Sequence, residues 1–223
     1  LALNAGDLMF SFPYACLLNL PHSGHTNEIT LGALAVLQDT IQQLVHGQHL
    51  DMRFETRADV ALEDYWQMIA GKTAALIACC CQLGALVADE DAARQAQWAQ
   101  FGRTLGLAFQ VVDDWLGIWG DVQKTGKSAL SDLTSKKKTY PVLLGLQNRA
   151  SFYENWKTGG KLNNKRGKEL ADMLQKEGID INTRVTYESL YSEALRQLQS
   201  LKFTVEKTTP LIVELQTLFG RTK

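Results

Sequence analysis

Residues 22 to 140 contain no proline, so nothing in that span removes a backbone donor or clashes with a preceding helical carbonyl. Within it, side chains recur at three- and four-residue steps: Leu31, Leu34, Ala35, Gln38, Ile41, Leu44, Val45 and Gln48, then Leu62, Tyr65, Trp66, Ile69, Thr73 and Leu76. That spacing gathers each series on one face of a helix, and strand-type alternation is scarce. The pattern predicts an all-α fold. Helices are expected at about 2 to 20, 27 to 48, 59 to 88 and 90 to 120, then at about 132 to 149, 166 to 177, 184 to 202 and 208 to 219. Asp121 to Ser131 reads as a loop, Pro141 as a kink or split, and Lys157 to Lys168, with Gly159, Gly160, Asn163 and Asn164, as a linker. Helices of about thirty residues reach about 45 Å, long enough to wall a deep central cavity for an elongated apolar ligand.

With 45% hydrophobic residues among 223, the chain can bury the core of a single domain over residues 1 to 223. A net charge of -1 supplies no basic field, which argues against a nucleic-acid partner and requires any anion site to be local. Cys79, Cys80 and Cys81 are consecutive, about 100° apart on a helix, so they cannot converge on a metal. With Cys16 they offer no disulfide framework, which fits a reducing cytoplasm. The four histidines show no ligand spacing either. Asn4, Asp7 and Pro13 interrupt the apolar first twenty residues, which read as a helix of a protein without stable membrane insertion. The chain starts in mid-pattern without Met or a cap, so further N-terminal helices are expected upstream of Leu1.

The chemistry concentrates in Phe109-Gln110-Val111-Val112-Asp113-Asp114-Trp115-Leu116-Gly117-Ile118-Trp119-Gly120-Asp121, where two adjacent carboxylates stand inside an apolar helical run. Burying an ionised carboxylate costs several kcal/mol unless a cation or cavity meets it, and a second like charge sharpens the demand. Gln110, Asp113, Asp114 and Gly117 fall on one face by the three- and four-residue rule. Hard oxygen ligands with room for water suit Mg2+, which binds through one or two carboxylates plus substrate phosphates. Lys72 stands in an apolar helix, Lys127 follows Gly126, and Lys136, Lys137 and Lys138 cluster beyond, so lysines are available for a phosphate. The competing readings are solvated carboxylates, a snorkelling Lys72, a solvated lysine face, and Phe101, Phe109, Trp115 and Trp119 as plain core.

An ordered series of motifs resembles the trans-isoprenyl diphosphate synthases, also called polyprenyl synthetases. It runs through Asn4-Ala5-Gly6-Asp7, Gly47-Gln48-His49-Leu50-Asp51, Lys72-Thr73, Phe109 to Asp114, Gly120-Asp121, Gly126-Lys127, Ser131-Asp132-Leu133 and Lys136-Lys137-Lys138-Thr139-Tyr140-Pro141. The resemblance covers residues 1 to 149 in detail, and the remainder loosely. It implies a Mg2+-dependent condensation of an allylic diphosphate with isopentenyl diphosphate, in a homodimer. It further implies Asp113 and Asp114 as metal ligands, Lys72, Lys127 and Lys136 as diphosphate contacts, and Thr73 and Gln110, with Lys72, as catalytic residues. The family's second acidic motif is Asp-Asp-x-x-Asp, whereas residue 117 here is glycine, which predicts weaker metal binding. Asp121, about 10 Å further along the axis than Asp114, is a poor replacement. The family's first Asp-rich motif has no counterpart from Leu1 onward. The alternative reading is therefore a non-catalytic relative that regulates or scaffolds an active synthase. A terpene cyclase is disfavoured because its Asn/Asp-Ser/Thr-Glu triad is not found.

Overall fold

The computed structural model describes residues 2–121, 130–158, 163–203 and 205–219. Among them all regular structure is helical, as the spacing predicts. α1 (Ala2–Leu18) leads through a 3-10 turn into α2 (Asn27–Thr56), whose first turn is capped by Thr26, its hydroxyl accepting from the Ile29 N–H at 3.2 Å. α2 runs two turns past the predicted end at 48, because Phe54 carries its buried stripe onward. Those extra turns contain Asp51.

The helix expected over 59 to 88 starts at Leu62, where the Ala61 N–H donates to the Asp64 carboxylate at 3.1 Å. It comprises α3 (Leu62–Ile69), a π turn (Ala70–Ala74) and α4 (Ala75–Val87). The π turn holds Lys72 and Thr73, and an interruption of this kind recurs at functional sites. Gly71 explains its placement. A Cβ there would stand 2.6 Å from the Gln43 carbonyl oxygen, and one on Gly47 would stand 2.8 Å from both Gly71 C and Met68 O. α2 and the π turn therefore cross backbone against backbone. By length and composition Leu62–Val87 could span a membrane, but its Tyr65, Ile69, Ala74 and Cys79 are buried and Lys72 is ion-paired.

α5 (Ala92–Trp119) starts at Asp91, whose carboxylate accepts from the Arg94 N–H at 2.8 Å. It lies between α4 and α10 (Ile179–Ser200), and its Gly106 lets it approach Ala74 closely. Tyr65, Ile69, Phe101, Val111 and Leu198 form the core there. Fully burying an aliphatic or phenylalanine side chain contributes about 1.5 to 3 kcal/mol.

The predicted helix 132 to 149 is split, as Pro141 implied, into α6 (Ser131–Thr134) and α7 (Tyr140–Asn148), which opens with Pro141 in its first turn. α8 (Ser151–Lys157) and α9 (Asn164–Lys176) complete a second core of Ile118, Leu133, Val142, Phe152 and Leu174. The linker reading of Asn163 to Lys168 is corrected: the Asn163 side chain caps α9 by accepting from the Arg166 N–H at 2.9 Å. α10 begins at Ile179 rather than about 184, directly after left-handed Gly178, and α11 (Val205–Phe219) follows. Gly126, Lys127, Gly159 and Gly160 lie outside the described residues.

Candidate active site

The approach of the π turn to α5 aligns their polar residues. Gln110 stands one turn after Gly106, and its Oε1 accepts from the Thr73 hydroxyl at 2.6 Å. Its Nε2 donates to Asp114 Oδ1 at 2.9 Å, so the amide is held at both ends. Asp114 Oδ2 accepts from the Tyr65 hydroxyl at 2.7 Å and from the Tyr140 N–H at 3.0 Å. This one carboxylate thus joins α3, α5 and the start of α7. Lys72 is paired with Asp51 of α2. Asp51, Tyr65, Lys72, Gln110 and Asp114 surround a recess of about 10 Å³ with Lys137, Lys138 and Thr139, room for about one water.

The two adjacent carboxylates differ. Asp114 is only 2% exposed and accepts three hydrogen bonds, whereas Asp113 is half-buried. Burial pushes the Asp114 carboxyl up to about 6; the Tyr140 N–H, Gln110, Tyr65 and the Lys137 ammonium each pull it down. The folded value lies above the ordinary 3.8, so the native state binds the extra proton between those values. The resulting stability is complete below about pH 4 and is lost as pH rises through about 6. Relative to Asp114→Asn, the parent is expected to lose on the order of 3 kcal/mol between pH 4 and pH 7. Urea unfolding of both proteins across that range measures the difference, and a flat difference would contradict it.

The lysine run is resolved by a backbone turn. At the end of α6 the Lys137 N–H donates to the Asp132 carbonyl at 2.9 Å and the Lys136 N–H to Leu133 at 3.1 Å, with Lys136 at φ 56°. This is a Schellman termination, with a lysine in the left-handed position that glycine usually fills. It leaves Lys136 exposed and turns Lys137 inward. Burial works against the Lys137 ammonium, but Asp114, Asp132, Asp51 and Asp113 outweigh it and raise its pKa. Lys138 instead donates to the Phe54 and Glu55 carbonyls, at the end of α2.

The structure thus brings together Lys72, Thr73, Gln110 and Asp114, with Asp113 beside them, and does not bring Lys136 to the cluster. Lys127 lies outside the described residues. Sequence reasoning assigns no role to Asp51, Tyr65 or Asp132, and offers Lys137 only as one of three clustered lysines available for a phosphate. Asp51 and Gly47 share a helix face by the four-residue rule, a signal available in the sequence. Tyr65 reads as another apolar position, and only the fold brings its hydroxyl to Asp114. Phe109 departs from the core reading: it is 37% exposed, one turn before Asp113, while Leu76 is exposed one turn after Thr73. An apolar surface therefore adjoins the polar recess.

The donor set can be tested against a divalent cation. Among the described residues no group of three carboxylates, histidines or cysteines could hold a metal ion unaided. The hard oxygens of the half-buried Asp113, beside lysines able to hold phosphate, nevertheless suit a cation completed by phosphate and water. The buried Thr139 hydroxyl, unpaired and lining the recess, adds another oxygen.

A helical bundle that gathers carboxylates and lysines beside an exposed apolar surface is the isoprenoid-synthase type of protein that the motif resemblance implies. Comparison with known proteins agrees. The Polyprenyl synthetase family matches residues 1–200, and the chain belongs to that family. It is 44% identical over 144 residues to a (2E,6E)-farnesyl diphosphate synthase of Mycobacterium bovis, covering 64% of this chain and 38% of that protein. A geranylgeranyl diphosphate synthase of Saccharolobus solfataricus is 31% identical over 223 residues, covering 96% of this chain and 66% of the relative. Among solved structures, a geranylgeranyl pyrophosphate synthase superposes with a TM-score of 0.85 at 28% identity, covering 97% of this chain and 67% of the other. A polyprenyl synthetase from Streptomyces coelicolor A3(2) gives 0.80 at 27% identity, covering 99% and 64%. The chain therefore spans between 38% and 66% of the length of these two curated relatives.

Proposed function

We propose that this chain carries the diphosphate-ionising part of a prenyltransferase, which condenses an allylic diphosphate with isopentenyl diphosphate into a longer linear isoprenyl diphosphate. The observation that carries this reading is Lys137, lining one recess with Asp51, Lys72 and Asp114 beside the Thr73–Gln110–Asp114 chain. In the reaction the allylic C1–O bond breaks and the diphosphate leaves with the electron pair. The isopentenyl double bond then attacks the allylic cation, and transfer of a proton to the departed diphosphate yields the new double bond. Lys72 and Lys137 oppose the charge that grows on the departing diphosphate, a preorganised electrostatic contribution. Lys127 would serve the same anion.

Thr73 and Gln110 hold fixed oxygen dipoles beside the reacting carbons, and Leu76 and Phe109 provide apolar surface for the prenyl chain. When bound, Mg2+ would neutralise diphosphate charge, held by Asp113 together with phosphate oxygens and water. Asp114, committed to three hydrogen bonds, acts here as a positioning residue rather than an open ligand. We place the protein in the cytoplasm as a homodimer. The exposed Leu8, Met9 and Phe12 of α1 and Leu31 and Val45 of α2 offer apolar surface that a second copy would cover.

The test is incubation of the intact protein with an allylic diphosphate, isopentenyl diphosphate and Mg2+. A longer linear diphosphate is expected, and a chelator should abolish it. No elongated product from folded, intact protein would overturn the catalytic reading in favour of a non-catalytic relative.

A further inference from the structure

The hydrogen bonds around Gln110 have one consistent direction. A carboxylate only accepts, so the side of the amide facing Asp114 Oδ1 at 2.9 Å is the Nε2 donor, and Oε1 turns to the Thr73 hydroxyl at 2.6 Å. That oxygen takes the single Thr73 hydroxyl proton and leaves the hydroxyl's lone pairs to its other side. Asp114 Oδ2 is held by two further donors, the Tyr65 hydroxyl at 2.7 Å and the Tyr140 N–H at 3.0 Å. Tyr65 and Asp114 are 1% and 2% exposed, too deep to touch a substrate, whereas Thr73 is half-buried. The chain therefore runs from an enclosed carboxylate to an accessible hydroxyl oxygen, with every proton pointing inward.

We infer that Tyr65, Asp114 and Gln110 form a relay that fixes the polarity of Thr73, so that its hydroxyl oxygen and not its proton faces the allylic cation. Hydrogen bonds in a chain polarise one another, and a carboxylate at the inner end lends negative character to an oxygen it does not touch. Asp114 and Tyr65 are positioning residues. Asp114→Asn should invert the relay without removing a hydrogen bond. The Tyr140 N–H can only donate, so the new amide must turn its oxygen to that side and its NH2 toward Gln110. Gln110 then turns its own amide over and donates to Thr73, whose proton is driven outward, against the cation.

The inference rests on the proposed ionisation of an allylic diphosphate. Its test reads turnover with both diphosphates and Mg2+, and NMR of the intact protein without substrate or metal. Asp114→Asn is expected to melt no lower than the parent at about pH 7 and to lose turnover about 10²-fold, with KM and the half-saturating Mg2+ concentration within about threefold. Thr73→Val should cost about tenfold in the parent but under about twofold on the Asp114→Asn background, where the inverted hydroxyl no longer helps. Adding Gln110→Glu to Asp114→Asn should recover about tenfold of the turnover, because a carboxylate at 110 accepts from both the new amide and Thr73. Tyr65→Phe removes a hydrogen bond but keeps the polarity, so its loss should stay under about tenfold. In the spectra, contacts from the Gln110 side-chain NH2 to the Thr73 methyl should be weak in the parent and strengthen in Asp114→Asn.

Parental turnover by Asp114→Asn at saturating Mg2+, with a raised Mg2+ requirement, would make Asp114 a metal ligand and overturn the relay. Equal cost of Thr73→Val on both backgrounds would do the same, since Asp114 would then act through its charge alone. A collapse in the melting of Asp114→Asn would show that the inverted network cannot form. No elongated product from the parent would overturn the proposed function and the relay's part in it together. The direction of the amide would still be judged by NMR, where contacts unchanged by Asp114→Asn would remove the inversion itself.

Discussion

Replacing Gly47 by alanine is expected to destabilise the chain by about 3 kcal/mol, the upper end for overpacking, because the obstacles are backbone atoms and not side chains free to turn away. The new Cβ would stand 2.8 Å from Gly71 C and Met68 O, so α2 and the π turn must separate. Separation should also disturb the proposed site, since Asp51 lies one turn beyond Gly47 and pairs with Lys72, next to Gly71. Gly84→Ala provides the contrast. It lies in α4 with nothing within 4 Å of the added Cβ, and alanine there should raise stability by about 0.5 to 1 kcal/mol through helix propensity. Urea midpoints of the two variants against the parent measure both effects, and equal midpoints would remove the close crossing from the account.

The second large effect is expected at Lys137. Lys137→Ala should lower turnover by about 10² to 10³, the range for removing one preorganised electrostatic group from a transition state. Lys136→Ala should change turnover less than about threefold, in keeping with an exposed charge in a left-handed turn. The comparison is informative because the residues are adjacent and chemically identical, so net charge falls equally in both. Steady-state turnover of the two variants decides it, and equal losses would mean that the turn does not sort the lysines. Lys137→Arg should recover part of the activity, since the charge survives while the guanidinium's shape differs from the ammonium it replaces.

Much of the fold was legible because the information is local. Three- and four-residue spacing reports helices whatever they pack against, and Asp91 and Pro141 mark helix starts through their own backbone chemistry. What was misjudged depended on other segments. The spacing ends α2 two turns early, because polar residues around Asp51 conceal the stripe that Phe54 continues. Asn163 has a composition common to linkers and caps, and only the Arg166 N–H at 2.9 Å selects the cap.

The candidate site divides in the same way. Sequence by itself determined the class of chain: all-helical, with adjacent carboxylates in an apolar run and lysines following, a constellation that needs a partner because buried charge is costly. It also indicated Lys72, Thr73, Gln110, Asp113 and Asp114 as site residues. Only the tertiary structure decided what each does. Neighbouring residues on a helix diverge by about 100°, so whether Asp113 or Asp114 receives Tyr65 and Tyr140 depends on where α3 and α7 lie. A left-handed residue redirects the next side chain, and that selects Lys137 over Lys136. The physical reason is common to both: composition and period set which groups must find partners, whereas excluded volume between distant segments sets which partners they find.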